Sequence, residues 1–123
     1  MNDNLTEPQI SALSGRRITP SHIDAEIRSE HYFIAGDAIQ LDTAVHEFPE
    51  DEGWLLGRTQ VVTICVIQLK NGFVVTGDSA PADSANFDAQ KGREAARENA
   101  VEKIWPLLGF RLRDELARGT AQG

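Results

Sequence analysis

Residues 61–69 constrain the fold of this chain more than any other stretch. They form an apolar run rich in β-branched residues, and neither of the two alternating sets of positions carries a charge, which is typical of a strand covered on both faces. Asn71 and Gly72 follow closely and favour a type I′ turn, because both residue types tolerate positive φ. Residues 73–76 are the predicted return strand. The sequence therefore predicts a β-hairpin at the centre of the fold.

A long helix is predicted after a loop rich in Ser, Ala, Asp and Pro. Asn86 or Asp88 caps the helix, and residues 87–108 place small and apolar side chains in one sector of it. Gly92 lies beside that sector and favours close packing, since a glycine inside a helix otherwise costs about 1 kcal/mol relative to alanine. Pro106 predicts a kink or a short break. The buried sector is predicted to contain Ala89, Ala96, Ala100, Ile104 and Leu107.

The other segments are predicted to attach to this unit. Thr19 and Pro20 open a first helix that ends near Glu30, residues 31–35 form a strand, and residues 38–48 carry a weaker strand pattern. The expected fold class is α+β, with a small antiparallel sheet of three to five strands packed against one long kinked C-terminal helix and one short N-terminal helix. The predicted domain limits are a flexible arm at 1–17, one domain at 18–117 with a variable acidic insertion at 36–58, and a flexible tail at 118–123.

Composition excludes several classes of partner. The chain has 12 Lys and Arg against 19 Asp and Glu, a net charge of -7, whereas nucleic-acid binding requires a basic stripe. A single cysteine, Cys65, excludes an internal disulfide and a cysteine-based structural zinc site. No apolar run reaches the roughly 20 residues that span a bilayer, and the N-terminus does not resemble a signal peptide. We therefore expect a cytoplasmic protein without membrane or nucleic-acid partners.

Catalytic and metal-binding patterns are not visible in the sequence. His22, His31 and His46 lack the spacing of metal ligands and are interpreted as surface or cap residues. Nucleophile-elbow, phosphate-loop and dinucleotide-binding motifs are also missing. Cys65 lies in the apolar strand and is interpreted as a buried small hydrophobe. The sequence predicts a protein that is not an enzyme and that uses no metal or cofactor.

Arg93 and Arg97 are unusual, because they lie at the edge of the buried helical sector and not among the acidic residues. In one interpretation they cover the rim of that sector and pair with Glu94, Glu98 or an acid elsewhere. In the other, two guanidinium groups one turn apart near a helix N-terminus form an anion-binding site. Both interpretations remain open at this point.

The strand, turn and helix residues described above resemble the small phage and prophage proteins of unknown function. The first-type Thoeris anti-defence proteins are similar in the same blocks. Two departures are Pro81, where the family often has cysteine, and a segment at 36–58 that is longer than in many relatives. The matching blocks are Thr63–Leu69, 71–73, 79–80, 86–88, Gly92, 96–97, 99–100, 104–105 and Gly109, and residues 18–27 match more weakly.

The resemblance implies a phage-encoded sponge that sequesters a cyclic ADP-ribose-like immune signal without cleaving it. Such binding requires arginines for phosphate, an aromatic ring for a base, and amides for the ribose or base edge. Trp105 is also a candidate core filler. The candidate ligand-binding residues are Arg93, Arg97, Asn86, Phe73, Phe87, Asn99 and Trp105.

Two further expectations concern partners. We expect a homodimer, because two helices can hardly cover both apolar faces of the strand at 61–69, and because Gly92, Ala96 and Ala100 favour close packing. The alternative function is that of a non-catalytic phage protein that binds a host protein through its acidic face. A nucleotide released from the purified protein by heating distinguishes the first function from the second.

Overall fold

The predicted hairpin forms β2 (Thr63–Leu69) and β3 (Val74–Ser79). The structure is a computed structural model that describes residues 17–47 and 57–122, with side chains through residue 119. β1 (Ile27–Ile34) pairs with the other edge of β2, so that the antiparallel sheet has the order β1-β2-β3. The α+β class is therefore confirmed, with the smallest sheet in the expected range.

The turn between β2 and β3 differs from the predicted type I′ turn. Leu69 N donates a hydrogen bond to Phe73 O at 2.8 Å, and Gly72 N donates to Leu69 O at 2.9 Å. Gly72 has a φ of 92°, whereas Asn71 does not have positive φ. The prediction of a two-residue turn is wrong, because three residues form the loop and the last of them is a left-handed glycine.

Two helices follow the hairpin. They are α3 (Ala89–Glu102) and α4 (Ile104–Gln122), and the chain breaks the helical pattern between them at Lys103. The predicted kink is therefore confirmed. Pro106 lies in the first turn of α4, where its missing N–H costs no helical hydrogen bond. α4 continues beyond residue 117, the predicted end of the domain.

β3 and α3 approach each other closely at Gly77. A Cβ atom at Gly77 would lie 2.2 Å from Ala96 O and 2.4 Å from Ala100 N. A second close approach occurs at Gly92, where a Cβ would lie 2.7 Å from Thr63 Oγ1. The prediction that Gly92 marks close packing is confirmed, whereas the tighter contact at Gly77 was not predicted.

The core lies between this pair of helices and one face of the sheet. Alternate residues of β2 are buried, and Cys65 is completely buried, as predicted. In the predicted helical sector, Leu107 is half-buried and Ala89 is exposed, which is a correction to the expected buried face. The buried apolar core comprises Ile23, Cys65, Ile67, Leu69, Val75, Ala96, Ala100, Ile104 and Leu108.

The N-terminal helix α1 (Pro20–Glu26) begins as predicted, with Thr19 as its cap. His22 N donates to Thr19 Oγ1 at 3.3 Å, and Thr19 N donates to His22 Nδ1 at 3.1 Å, which makes His22 a capping residue. The expected helix end near Glu30 is wrong, because Ile27 already pairs with Leu69 in the sheet.

The chain leaves the sheet after β1. The weak strand pattern at 38–48 is not a strand in the described part of that segment, because the short helix α2 (Ala35–Ile39) and turns follow β1 directly. Residues 1–16 of the expected arm and residues 48–56 of the acidic insertion lie outside the described residues. No helix within 17–47 or 57–122 has the length and apolar character needed to cross a membrane.

The face of the sheet opposite the helices is largely open. Phe33 and Val74 retain 42% and 50% of their possible exposure, and Ile64 and Val66 are half-buried. Phe33 pairs with Ile64 across β1 and β2, so these side chains share one surface. A three-stranded sheet with one helical layer thus leaves an apolar surface accessible.

Candidate ligand-binding site

The N-terminal end of α3 lies at the end of the sheet where β2 begins. Asp88 caps the helix, since its Oδ1 accepts a hydrogen bond from Lys91 N at 3.0 Å. Asp83 similarly caps a 3₁₀ turn (Ser84–Asn86) by accepting from Ala85 N at 3.0 Å. These two caps hold the loop that presents Asn86 and Phe87 next to the first turn of α3.

A cleft of about 360 Å³ is lined by Phe87. We call it the Arg93 cleft. β1, α2, the start of β2 and the first turns of α3 form its walls. Its size is comparable with the smaller small-molecule sites of proteins. The lining residues are Tyr32, Phe33, Ile34, Asp37, Thr63, Phe87, Ala89 and Arg93.

Thr63 is the most informative residue of the Arg93 cleft. It is 1% exposed, and its hydroxyl has no hydrogen-bond partner within the described chain. A buried polar group without a partner costs about 1–3 kcal/mol, so its presence requires an explanation. The close packing of α3 supplies one, because the hydroxyl lies against Gly92, where an added Cβ would come within 2.7 Å of it.

Arg93 and Asp37 give the same cleft one positive and one negative charge. Both side chains are exposed, and neither makes an ion pair or a side-chain hydrogen bond with another residue of 17–47 or 57–122. The guanidinium of Arg93 offers several N–H donors, which suits phosphate, whereas the Asp37 carboxylate accepts hydrogen bonds from hydroxyl or amino groups. The cleft can therefore hold a ligand that carries both kinds of group.

A second cleft of about 210 Å³ is also lined by Phe87. We call it the Asn86 cleft. It contains the side chains of Asn86 and Lys91, beside the end of β3 and the loop that follows. Phe87 lines both clefts. The remaining lining residues are Ser79, Ala80, Pro81, Asp88, Gly92 and Ala95.

Arg97 points to a different part of the protein. Its Nε donates to Glu30 Oε1 at 2.9 Å, and its Nη2 donates to Glu30 Oε2 at 3.1 Å. The same Nη2 lies 3.5 Å from Asp24 Oδ1. Tyr32 also donates to Glu30 Oε1, at 2.8 Å. Arg97 therefore makes the contacts expected from the first interpretation, in which the arginine covers the rim of the buried sector and pairs with an acid elsewhere in the chain.

These contacts perturb the groups that make them. The hydrogen bond from Arg97 holds the pKa of Glu30 below its ordinary value, and that from Arg111 does the same for Glu26. Burial, together with the bond to Glu30, raises the pKa of Tyr32, so its hydroxyl stays protonated and remains a donor. The hydrogen bonds among Tyr32, Glu30 and Arg97 join β1 to α3 beside the core.

The stability of the fold is expected to fall in acid. Because Glu30 and Glu26 have lower pKa values in the folded protein than in the unfolded chain, their stabilisation is complete above the ordinary carboxylate pKa and disappears as the pH falls through the lowered folded values. We expect the melting temperature of Glu30→Gln to depend less on pH than that of the wild type between about pH 7 and pH 3.

Glu98→Gln is the matched control, since Glu98 is exposed on α3 and makes no ion pair among the described residues. Parallel pH profiles for wild type and Glu30→Gln, measured by thermal denaturation, would show that the Glu30–Arg97 pair does not stabilise the fold.

The other predicted site residues lie away from the two clefts. Asn99 Nδ2 donates to Asp78 O at 2.8 Å and ties α3 to β3. Phe73 follows the turn at the far end of β2, about 20 Å from Thr63 by the rise of a strand. Trp105 is 37% exposed in the first turn of α4, beyond the break that ends α3. Of the candidate residues, only Arg93, Phe87 and Asn86 therefore gather at the start of α3.

Six residues of the Arg93 cleft were not predicted as site residues from the sequence: Tyr32, Phe33, Ile34, Asp37, Thr63 and Ala89. Thr63 carried one usable signal, because it is a polar residue at the start of an apolar strand. Asp37 carried none, since it lies in a segment without a recognisable pattern.

The comparisons with known proteins give one match. The family described as "Phage protein (N4 Gp49/phage Sf6 gene 66) family" matches residues 18–116, about four fifths of the 123 residues. Searches of curated proteins and of solved structures gave no match. The matched region contains the sheet, both clefts and most of α4. This chain therefore belongs to the phage protein family of N4 Gp49 and phage Sf6 gene 66.

Proposed function

We propose that the protein is an anti-defence sponge that binds a cyclic ADP-ribose-like nucleotide signal in the host cytoplasm and sequesters it. The single observation that carries the proposal is the exposed Arg93 side chain, which makes no ion pair with another residue of 17–47 or 57–122 and lines the same cleft as Asp37 and Phe87. A bound phosphate group would give the guanidinium of Arg93 a charged partner.

The chemistry of the two clefts favours a nucleotide over a simple anion. Arg93, close to the N-terminal end of α3, takes a phosphate, and the Phe87 ring offers a stacking surface for a base. Asp37 would repel a bare phosphate but accepts a hydrogen bond from a ribose hydroxyl or a base amino group. Asn86, in the second cleft lined by Phe87, contributes an amide for the second half of the ligand.

Storage without cleavage is part of the proposal. Among the described residues that line the two clefts, neither Thr63 nor Ser79 donates its hydroxyl to a general base, and Tyr32, which donates to Glu30, has a raised pKa that keeps its hydroxyl protonated. Binding that is tight but chemically inert suits a sponge, whereas an enzyme would release its product.

The decisive test is release of bound material. Protein purified from cells that make the signal is expected to release an ultraviolet-absorbing nucleotide on heating, identified by mass spectrometry of the supernatant. Arg93→Ala, purified in the same way, is the control and should release much less. A wild-type protein that releases no nucleotide would reject the sponge function and favour binding to a host protein.

The open face of the sheet supports the inference that the protein forms a homodimer. Phe33, Ile64, Val66 and Val74 form an apolar surface, which soluble proteins usually bury against a partner. We expect light scattering at micromolar concentration to give twice the mass of 13.5 kDa.

A matched pair of variants tests that surface. Val66→Asp should shift the protein toward the monomer, whereas Glu98→Gln, on the opposite layer, should not. A monomeric wild type would reject the dimer.

A further inference from the structure

Arg58 joins two segments that are distant in the sequence. It belongs to a 3₁₀ turn (Gly57–Val61) just before β2. Its Nη1 donates to Ser84 Oγ at 2.8 Å, and its Nη2 donates to Pro81 O. Both acceptors lie on the loop between β3 and α3. One side chain therefore bridges the start of the hairpin to the loop that follows it.

The turn that carries Arg58 is itself held in place. Ala35 N donates to Val62 O at 2.8 Å, which continues the pairing of β1 with β2 by one residue. Gly36 packs against Gln60 so closely that a Cβ on Gly36 would lie 2.6 Å from Gln60 Nε2. These contacts hold the backbone of the turn, and with it the backbone of Arg58, against the end of β1 and the start of α2.

The loop that Arg58 contacts has little support of its own. Residues 82–86 are all exposed, and the loop's internal bonds are those of one short 3₁₀ turn, including Phe87 N to Ser84 O at 3.1 Å. Pro81 and residues 86–88, on either side of the exposed part of the loop, nevertheless line the Asn86 cleft. The positions of these lining residues, Phe87 included, depend on the hydrogen bonds that hold Ser84.

We propose that Arg58 is a positioning residue of the ligand-binding site. By binding Pro81 O and Ser84 Oγ together, it orders the loop before the ligand arrives and holds Phe87 and Asn86 in their binding positions. The inference rests on the proposed function, because it assumes that a ligand contacts Phe87 and Asn86. Its consequence for loop order does not need a ligand.

The test compares Arg58→Ala with Arg113→Ala, which removes an exposed arginine of α4 that makes no side-chain hydrogen bond or ion pair with other described residues. Hydrogen exchange in the free protein is expected to accelerate about tenfold or more at the Asn86 and Phe87 amides in Arg58→Ala, with an unchanged melting temperature. Affinity for cyclic ADP-ribose, the probe, is expected to fall about tenfold by calorimetry. Arg113→Ala should change neither quantity.

Arg58→Lys refines the result, because lysine keeps the charge but cannot bind both acceptors in the forked geometry of a guanidinium. It should behave like Arg58→Ala if positioning matters and like wild type if charge alone matters. Unchanged loop exchange in Arg58→Ala, or faster exchange with unchanged affinity, would overturn the proposal. If the wild type does not bind the probe, the proposed function fails, and the exchange measurement alone decides whether Arg58 fixes the loop.

Discussion

Gly77→Ala is expected to lower the free energy of unfolding by about 3 kcal/mol, the upper end of the usual cost of an added methyl group in a packed interior. The new Cβ would lie 2.2 Å from Ala96 O and 2.4 Å from Ala100 N. These distances are far shorter than van der Waals contact, so α3 must move away from β3. That movement would open the core around Ala96 and Ala100, both fully buried. Urea denaturation measures the change.

Gly109→Ala is the matched control for that experiment. Gly109 lies inside α4, and a Cβ there meets no atom within 4 Å. Alanine is therefore expected to stabilise the protein by up to about 1 kcal/mol, as it does in an exposed helix. A Gly77→Ala protein within about 0.5 kcal/mol of the wild type, the range of ordinary surface substitutions, would show that strand and helix are not in direct contact.

Arg93→Ala is expected to weaken binding of cyclic ADP-ribose by roughly one to two orders of magnitude, since a charge-assisted contact to phosphate contributes about 1.5–3 kcal/mol. The fold should be unaffected, because the side chain is exposed, makes no ion pair among the described residues, and alanine is a good helix former. Isothermal calorimetry gives the affinity, and thermal denaturation confirms the fold.

Arg97→Ala separates the two arginines. Its removal leaves the carboxylate of Glu30 without its forked partner, so we expect a loss of stability of about 1 kcal/mol, a modest value because Arg97 is more than one third exposed. Its effect on ligand affinity should be smaller than that of Arg93→Ala. Equal losses of affinity in both variants, with unchanged melting temperatures, would assign both arginines to the ligand.

The local features of the fold could be predicted because neighbouring residues determine them. The β-branched strand, the capping of α1 by Thr19 and of α3 by Asp88, and the break before Pro106 depend on a few consecutive side chains. The prediction of the turn type was wrong, because Asn71 and Gly72 suit both a two-residue and a three-residue loop. The hydrogen bond from Leu69 N to Phe73 O selects the three-residue loop, and the Asn71-Gly72 dipeptide alone does not indicate it.

The site could be predicted only in part, because its remaining contacts join distant segments. Arg97 and Glu30 are 67 residues apart, and nothing near either of them in the sequence indicates the other. Aromatic residues were chosen by type, and position within the fold then excluded Phe73 and Trp105 from the clefts around Phe87. A buried hydroxyl such as that of Thr63 becomes unusual only when its surroundings are known.

The two close approaches of α3 to the sheet differ in how sequence change can accommodate them. At Gly77 the atoms that a new methyl group would meet belong to the backbone of Ala96 and Ala100, which every residue type shares, so no second substitution can make room. At Gly92 the nearest atom is the side-chain oxygen of Thr63, which a substitution can remove. A descendant of this sequence must therefore keep glycine at position 77 as long as the middle of α3 stays this close to β3. The N-terminal end of α3, beside the Arg93 cleft, can be adjusted by paired substitutions at Gly92 and Thr63.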